Sequence, residues 1–356
     1  MDIVINGYYG FGNVGDEIIL SCMLKELETS VSRKNITVLS KNPEETENTH
    51  LVNAKDRWNI REVVSAIRKS SIFISGGGTL FQDITSSLSP YYYLSLLYLA
   101  QRLCKKTFIY AQGIGPLKRA LTRYACRQIL DKTDIITVRD KYSLKFLYAL
   151  GVEMNNKKVY LTADPAWTLF PYRKKSVSLH PKVGIILRRT SYYTKFDVIF
   201  WRSLLPWLKN FLSKEIYVIS FRAKCEKEFI CENFGDMDID LYVNTSITET
   251  IKFVDMLDIV LSTRLHGLIL GLLSGAAVFG FCEDVKIYAL LDEFGIAGIS
   301  YIKDTEPKSC AYKISKIYFE EWGEYSNVIE ENINQHVIRA RLAGEVFRDM
   351  LRQYFR

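Results

Sequence analysis

The stretch MDIVINGYYGFGNVGDE, residues 1–17, runs a short apolar segment into a glycine-rich turn and then into two acids. An apolar run closed by glycines and followed by acids that suit a helix N-terminus reads as the first strand–turn–helix step of a βαβ unit. Gly10, Gly12 and Gly15 spell G-x-G-x-x-G, the spacing of a dinucleotide-binding loop. Such a loop needs a carboxylate about 20 residues on, at the end of the second strand, to hold the ribose hydroxyls. Here that strand ends LSKNP and offers Ser40 and Lys41 instead. What remains is a strand-to-helix turn whose acids complement the helix dipole, and whose Asn13 and Asp16 also suit hydrogen bonding to a polyhydroxylated ligand.

The same alternation continues downstream. The spacing predicts strands over 3–5, 36–39, 72–75, 107–110, 135–138 and 159–162, with helices over 16–30, 60–70, 91–103, 121–132 and 140–150. Alternation of this kind signals parallel sheets in an α/β fold. The polar, basic segment PYRKKSVSLHP, 171–181, reads as a linker, because Pro and clustered charge resist continuing a packed element. A second set follows, with strands over 183–187, 216–220, 259–262 and 277–281 and helices near 198–211, 226–234, 247–256, 265–273 and 287–294. The expected division is 1–170, 171–325 and a terminal amphipathic helix over 326–356.

A chain of 356 residues exceeds the size at which one hydrophobic core stops growing, so two domains are expected. Hydrophobic residues at 48% and charged residues at 24% exclude a disordered, charge-rich chain. The start lacks the basic n-region of a signal peptide, and the charge-free stretches 84–101 and 265–282 are interrupted by Ser, Pro, His or Gly; a cytoplasmic protein is expected. Seven cysteines without a C-x-x-C pair, and four histidines, support neither a disulfide framework nor a metal cluster. The net charge of +7 is concentrated in 101–128 and 172–196, each with seven Lys/Arg and no acid. That favours anionic ligands or an anionic membrane surface; a nucleic-acid partner is not expected.

Ligands of open α/β sheets gather outside the carboxyl ends of strands. SGGGTLFQD, 75–83, places three glycines there, including Gly77 and Gly78, and ends on Asp83. One glycine serves a turn, so three imply that a ligand or another backbone approaches closely. AQGIGP, 111–116, repeats the arrangement with Gln112 as its polar group. STRLHG, 262–267, brings Arg264 and His266 to a helix start, where a guanidinium, an imidazole and free N–H groups converge: an anion site beside a proton-transfer group. The alternative is a buried arginine paired with a carboxylate and a histidine satisfied by backbone. Lys286, after the next strand, and Arg188, at the end of VGIIL, are further cations.

Taken in order, NGYYGFGNVGDE, ISGGGTLFQD, FIYAQGIGPL, DIITVRDKYS, YLTADPAW and DIVLSTRLHGLILGLLSGAAV resemble the polysaccharide pyruvyl transferases over about residues 3–295. The nearest resemblance is to the bacterial branch that places a pyruvate ketal on secondary cell-wall polymers anchoring S-layer proteins. The resemblance implies a GT-B-like fold, two Rossmann-like domains facing across a cleft. It implies phosphoenolpyruvate as donor, handled by the second domain, and a glycan acceptor, expected to be lipid-linked, handled by the first. No cofactor and no metal are implied. By position, Arg264 and His266 match the family's R-L-H motif, Lys286 its following lysine and Arg188 its first-strand arginine. Gly267 stands where many relatives have Ala, and Arg189 where Pro is usual, which leaves open which of Arg188 and Arg189 faces the ligand. The acceptor group is then expected to be Asn13, Asp16, Gly77, Gly78, Asp83 and Gln112, with Asp16 or Asp83 as candidate base. Two rival readings remain: a GT-B glycosyltransferase with a nucleotide-sugar donor, and a non-catalytic binder of polymer or membrane. The basic terminal helix allows contact with anionic membrane.

Overall fold

The computed structural model describes residues 1–356 apart from 85, 104, 153–157, 189–194, 244–245, 282–284, 297–304 and 356. The chain divides into two units, Met1–Leu169 with His336–Arg356, and Phe170–Gln335.

The first unit begins β1 (Ile3–Tyr9), α1 (Val14–Leu27), β2 (Ile36–Ser40), α2 (Pro43–His50), β3 (Asn53–Asp56), α3 (Ile60–Lys69) and β4 (Ile72–Ser75). It continues β5 (Gly78–Phe81), α4 (Ser89–Arg102), β6 (Lys106–Ile114), α5 (Ala120–Leu130), β7 (Ile135–Val138), α6 (Lys141–Leu150) and β8 (Lys158–Leu161). The second unit carries β9 (Val183–Ile186), α7 (Lys195–Phe211), β10 (Ile216–Ser220), α8 (Ala223–Phe234), β11 (Asp240–Val243) and α9 (Ile247–Asp255). Then come β12 (Ile259–Ser262), α10 (Leu265–Leu273), β13 (Ala277–Gly280), α11 (Val285–Glu293), α12 (Pro307–Lys316) and α13 (Trp322–Tyr354). From His336 onward the last helix counts with the first unit.

Both sheets are parallel. The first has the order β3-β2-β1-β4-β6-β7-β8, with β5 pairing the far part of β6, and the second β11-β10-β9-β12-β13. Parallel sheets are covered on both faces, so their strands are apolar at successive positions. In the first unit Ile3, Ile5, Ile72, Ile74, Phe108 and Tyr110 face one side, with Leu20, Met23, Leu24 and Leu27 of α1. Val4, Phe73 and Ile109, the alternate residues of the same strands, face the other side, against Val63 and Ile67 of α3 and Leu94 and Leu97 of α4.

The described strands β3 (NAKD), β5 (GTLF) and β11 (DLYV) are absent from the pattern reading. β3 and β11 are edge strands, and β3 buries only Ala54; a single buried side gives no apolar run to detect. β5 opens on a glycine, which weakens strand propensity. Segment 171–182 has no regular structure but is held within the second unit: Lys175 Nζ donates to Leu257 O at 2.8 Å and Ser178 N to Tyr318 Oη at 2.8 Å.

The terminal helix packs on the first unit. Ala343, Val346, Phe347 and Met350 lie in the first unit's core with α1 and β1. The apolar face that interfacial insertion would use is therefore spent on the sheet. Its basic side is partly paired, Arg348 Nη1 with Thr29 Oγ1 at 3.2 Å and Arg352 Nη1 with Asp349 Oδ1 at 3.2 Å. Among the described residues no helix is long and apolar enough to cross a membrane.

Phe347 meets Phe108 edge-on with centroids 5.7 Å apart. Phe347→Ala should therefore lower stability by about 3–5 kcal/mol. Arg352, 68% exposed, should cost less than about 0.5 kcal/mol as Gln. Urea unfolding of the two variants checks this; equal midpoints would show that the helix is not docked.

Candidate functional site

In the second unit β9 is central, flanked by β10 and β12. The chain leaves these three neighbours at Arg188, Arg222 and Arg264, so three guanidinium-bearing residues emerge at adjacent strand ends. Their charges interact: burial lowers the pKa of Arg264, Glu226 opposes that, and the charges of Arg188 and Arg222 lower it further. Glu226, in the first turn of α8, ion-pairs with Arg264 Nη2, and both side chains are nearly buried. Arg264 Nε donates to Leu187 O at 3.1 Å. Arg264 is thus the buried, carboxylate-paired arginine of the alternative reading, and its Nη1 makes no hydrogen bond among the described residues.

The turn into α10 is built by Ser262, whose Oγ accepts from Arg264 N at 2.9 Å and donates to Arg264 O at 2.8 Å. Thr263 Oγ1 accepts from Arg188 N at 2.8 Å, tying the ends of β9 and β12 together. Arg264 is the N-cap residue and its side chain caps nothing; the first N–H groups of α10 lie beside half-buried His266. A helix N-terminus of this kind attracts anions. A Cβ on Gly267 would lie 2.5 Å from Ser262 Oγ, so an Ala here would have to displace the hydroxyl that builds this turn. Lys286 sits in the first turn of α11, after β13 on the same edge. Arg189 lies outside the described residues.

In the first unit β1 holds the corresponding place between β2 and β4. Asn13 is the N-cap residue of α1 but makes no side-chain cap hydrogen bond, and its Nδ2 donates to Asp16 Oδ2. A Cβ on Gly78, which has φ +94, would lie 3.2 Å from Asp16 Oδ1, so the opening turn and the triple glycine meet. The reason for three glycines differs from the expected one. A Cβ on Gly76 would strike Tyr9 Oη at 2.2 Å and one on Gly77 would strike Ile19 Cγ2 at 2.6 Å. Internal side chains, rather than a ligand or a backbone, make the close approach there. Gln112 is fully buried and its Nε2 donates to Gly76 O at 2.8 Å, which braces the same turn.

Asp83 has another task. Its carboxylate is buried and accepts from the backbone amides of Lys118 at 2.7 Å and Arg119 at 2.9 Å. Both oxygens hold the loop after β6, which removes Asp83 as a candidate base. Arg139, at the end of β7, is likewise locked between Asp164 at 2.9 Å and Thr79 Oγ1 at 3.0 Å. The glycine loop itself is occupied by a carboxylate: Gly10 N donates to Glu17 Oε1 at 2.8 Å, and His50 Nε2 lies 3.0 Å from Glu17 Oε2.

The sequence reading missed Arg222 and Glu226. The signal was available in ISFRAKCEKE, 219–228, where a strand end delivers Arg222 and a helix start carries Glu226. Their partner Arg264 lies in a different βα unit, which is why no local motif joined them.

None of the curated proteins matches the chain. Among solved structures, a UDP complex of S. aureus MnaA is 11% identical, with a TM-score of 0.67 over 99% of this chain and 97% of that one. A putative UDP-N-acetylglucosamine 2-epimerase from Listeria monocytogenes is 9% identical, with a TM-score of 0.67 over 99% and 96%. The Anabaena protein HepE in complex with UDP and glucose is 10% identical, with a TM-score of 0.62 over 99% and 100%. At these identities the likeness shows the fold alone, which is α/β with Rossmann-like sheets of the GT-B kind. The model of the polysaccharide pyruvyl transferases matches residues 13–281, a span holding Asn13, Asp16, Arg188, Arg222, Glu226, Arg264 and His266, and the chain belongs to that family.

Proposed function

We propose that the chain transfers pyruvate from phosphoenolpyruvate to a sugar of a lipid-linked cell-wall glycan, forming a ketal and releasing phosphate at the inner face of the membrane. The S-layer-anchoring branch is our reading of its place within the family. One observation carries it: three arginines emerge at adjacent strand ends, Arg264 among them ion-paired with Glu226, beside a half-buried histidine at a helix N-terminus. Phosphoenolpyruvate carries about three negative charges on few atoms and needs several cations at once.

Arg188 and Lys286 supply charge to the donor, and Arg264, held by Glu226 and Leu187 O, offers its remaining nitrogen in a fixed orientation. His266 gives a proton to the methylene carbon, which makes C2 electrophilic. One acceptor hydroxyl adds to C2, phosphate leaves, and the neighbouring hydroxyl closes the ring. Of the two hydroxyl protons, one restores His266 and the other is taken by Asp16 and passed on to the departing phosphate. Asp16 is the base for the acceptor hydroxyl, with Asn13 orienting it and Gly77, Gly78 and Gln112 shaping the turn behind it.

The deciding experiment incubates the protein with phosphoenolpyruvate and a panel of synthetic and lipid-linked glycans. A mass gain of one pyruvate ketal, matched by phosphate release, is the expected result. Nucleotide release from a nucleotide sugar would instead make the chain a glycosyltransferase.

His266→Gln should lower kcat by roughly 10² to 10⁴ while donor binding by calorimetry stays near normal. Arg264→Lys keeps the charge but loses the planar fork, so donor binding should weaken by about 1.5–3 kcal/mol. A His266→Gln protein turning over at the wild-type rate would put the proton donor elsewhere.

Asp16→Asn should raise the acceptor KM and lower kcat, with little change in donor KM. Steady-state kinetics with each substrate varied separately reads this; a rise confined to donor KM would refute the assignment.

A further inference from the structure

Arg57 follows β3 and is only 4% exposed. Its Nη1 donates to Gly7 O at 2.8 Å and its Nη2 to Tyr93 Oη at 3.3 Å, and among the described residues it has no carboxylate partner. Four aromatic rings surround the guanidinium, with centroids at 4.4 Å (Tyr92), 5.0 Å (Phe11), 5.3 Å (Trp58) and 5.4 Å (Tyr93). Cation–π attraction holds such rings in place. Further contacts fix the set: Tyr92 Oη donates to Arg57 O at 3.1 Å, Trp58 leans on Tyr92 at 5.3 Å, and Tyr8 stacks on Phe11 at 4.0 Å.

The rings are held in place, and all but Tyr93 keep a face open to solvent. Trp58 is 55% exposed, and Tyr8, Phe11 and Tyr92 are half-buried. Rigid, clustered aromatics left open to water mark a binding surface. Arg57 Nε is also buried without a hydrogen-bond partner among the described residues, a cost that an incoming oxygen would relieve. The cluster lies at the carboxyl edge of the sheet, where Phe11 belongs to the turn that carries Asn13 and Asp16. Burial raises the pKa of the Tyr93 hydroxyl and the Asp16 carboxylate adds to that rise, so Asp16 acts on the same cluster.

We propose that Trp58, Tyr92, Phe11 and Tyr8, assembled around Arg57, form a stacking platform for one pyranose ring of the acceptor glycan. This rests on the acceptor reading of the first unit. A pyranose presents an apolar C–H face to the rings and hydroxyl edges to the flanking Asn13 and Asp16. Anionic headgroups or nucleotides suit the place poorly, because Asp16 and Glu17 line the adjoining turn.

The test is saturation-transfer NMR on the full chain with methyl glycosides of N-acetylglucosamine, N-acetylmannosamine, glucose and galactose. Alongside it run phosphoenolpyruvate calorimetry and circular dichroism. Saturation should reach the ring C–H protons of at least one sugar. Trp58→Ala should weaken that sugar by at least about tenfold, and Trp58→Phe should restore it to within about threefold of wild type. Phosphoenolpyruvate binding should not change in either variant. Trp58-dependent sugar binding in a protein that ignores phosphoenolpyruvate would support the platform while refuting the donor reading. Turnover of phosphoenolpyruvate with an acceptor KM indifferent to Trp58→Ala would do the reverse. Absence of saturation in every sugar overturns the platform, as does wild-type sedimentation with anionic phosphatidylglycerol vesicles that Trp58→Ala abolishes.

Discussion

Two parallel strands can be joined only by a crossover, so every strand of each unit ends on the same edge of its sheet. That constraint gathers the candidate groups here. With β9 between β10 and β12, Arg188, Arg222 and Arg264 must emerge side by side although each belongs to a different βα unit. With β1 between β2 and β4, Asn6 pairs in register with Ser75, and the turns after both strands open beside one another. In both units the strand order reverses at these places, and crossovers leave on opposite faces, which opens a crevice in such sheets.

Crowding three guanidinium-bearing residues at one set of strand ends has a cost. Burial already lowers the pKa of Arg264, and Arg188 and Arg222 add to that lowering; Glu226 alone opposes it. Removing Glu226 would leave a nearly buried cation without its counter-ion, the situation that destabilises proteins most strongly. On the proposed reading, the negative charge of the donor meets this group of cations.

The apolar strands were legible because both faces of a parallel sheet demand apolar side chains: 72–75, 135–138, 216–220 and 259–262 were read with the same bounds that the fold shows. Edge strands with one covered face, such as NAKD, carried no such signal. Strand-end chemistry was legible by residue type but not by partner. Arg264 announced a charged site, yet its pairing with Glu226 depends on strand order, which no local motif encodes. Asp83 looked available in sequence because nothing marked the amides of Lys118 and Arg119 as its partners. The triple glycine showed that space was scarce, but the claimants, Tyr9 and Ile19, come from β1 and α1.

G-x-G-x-x-G spacing specifies backbone shape, and the charge seated on its amides then sets which ligands can approach. In this chain Gly10 N is taken by Glu17, which also contacts His50, and Asp16 stands one residue before. A pyrophosphate placed there would have to displace one carboxylate and face another, at a cost that helix N–H groups do not cover. The strand ends of the second unit carry the opposite sign, with Arg188, Arg222 and Arg264 beside Glu226. On the proposed reading this asymmetry assigns the substrates: the trianionic donor belongs with the arginines, and the neutral, hydroxyl-rich acceptor with the carboxylates and aromatic rings. On that reading the same fold serves both partners of the reaction, and the side chains at each set of strand ends decide which one each unit takes.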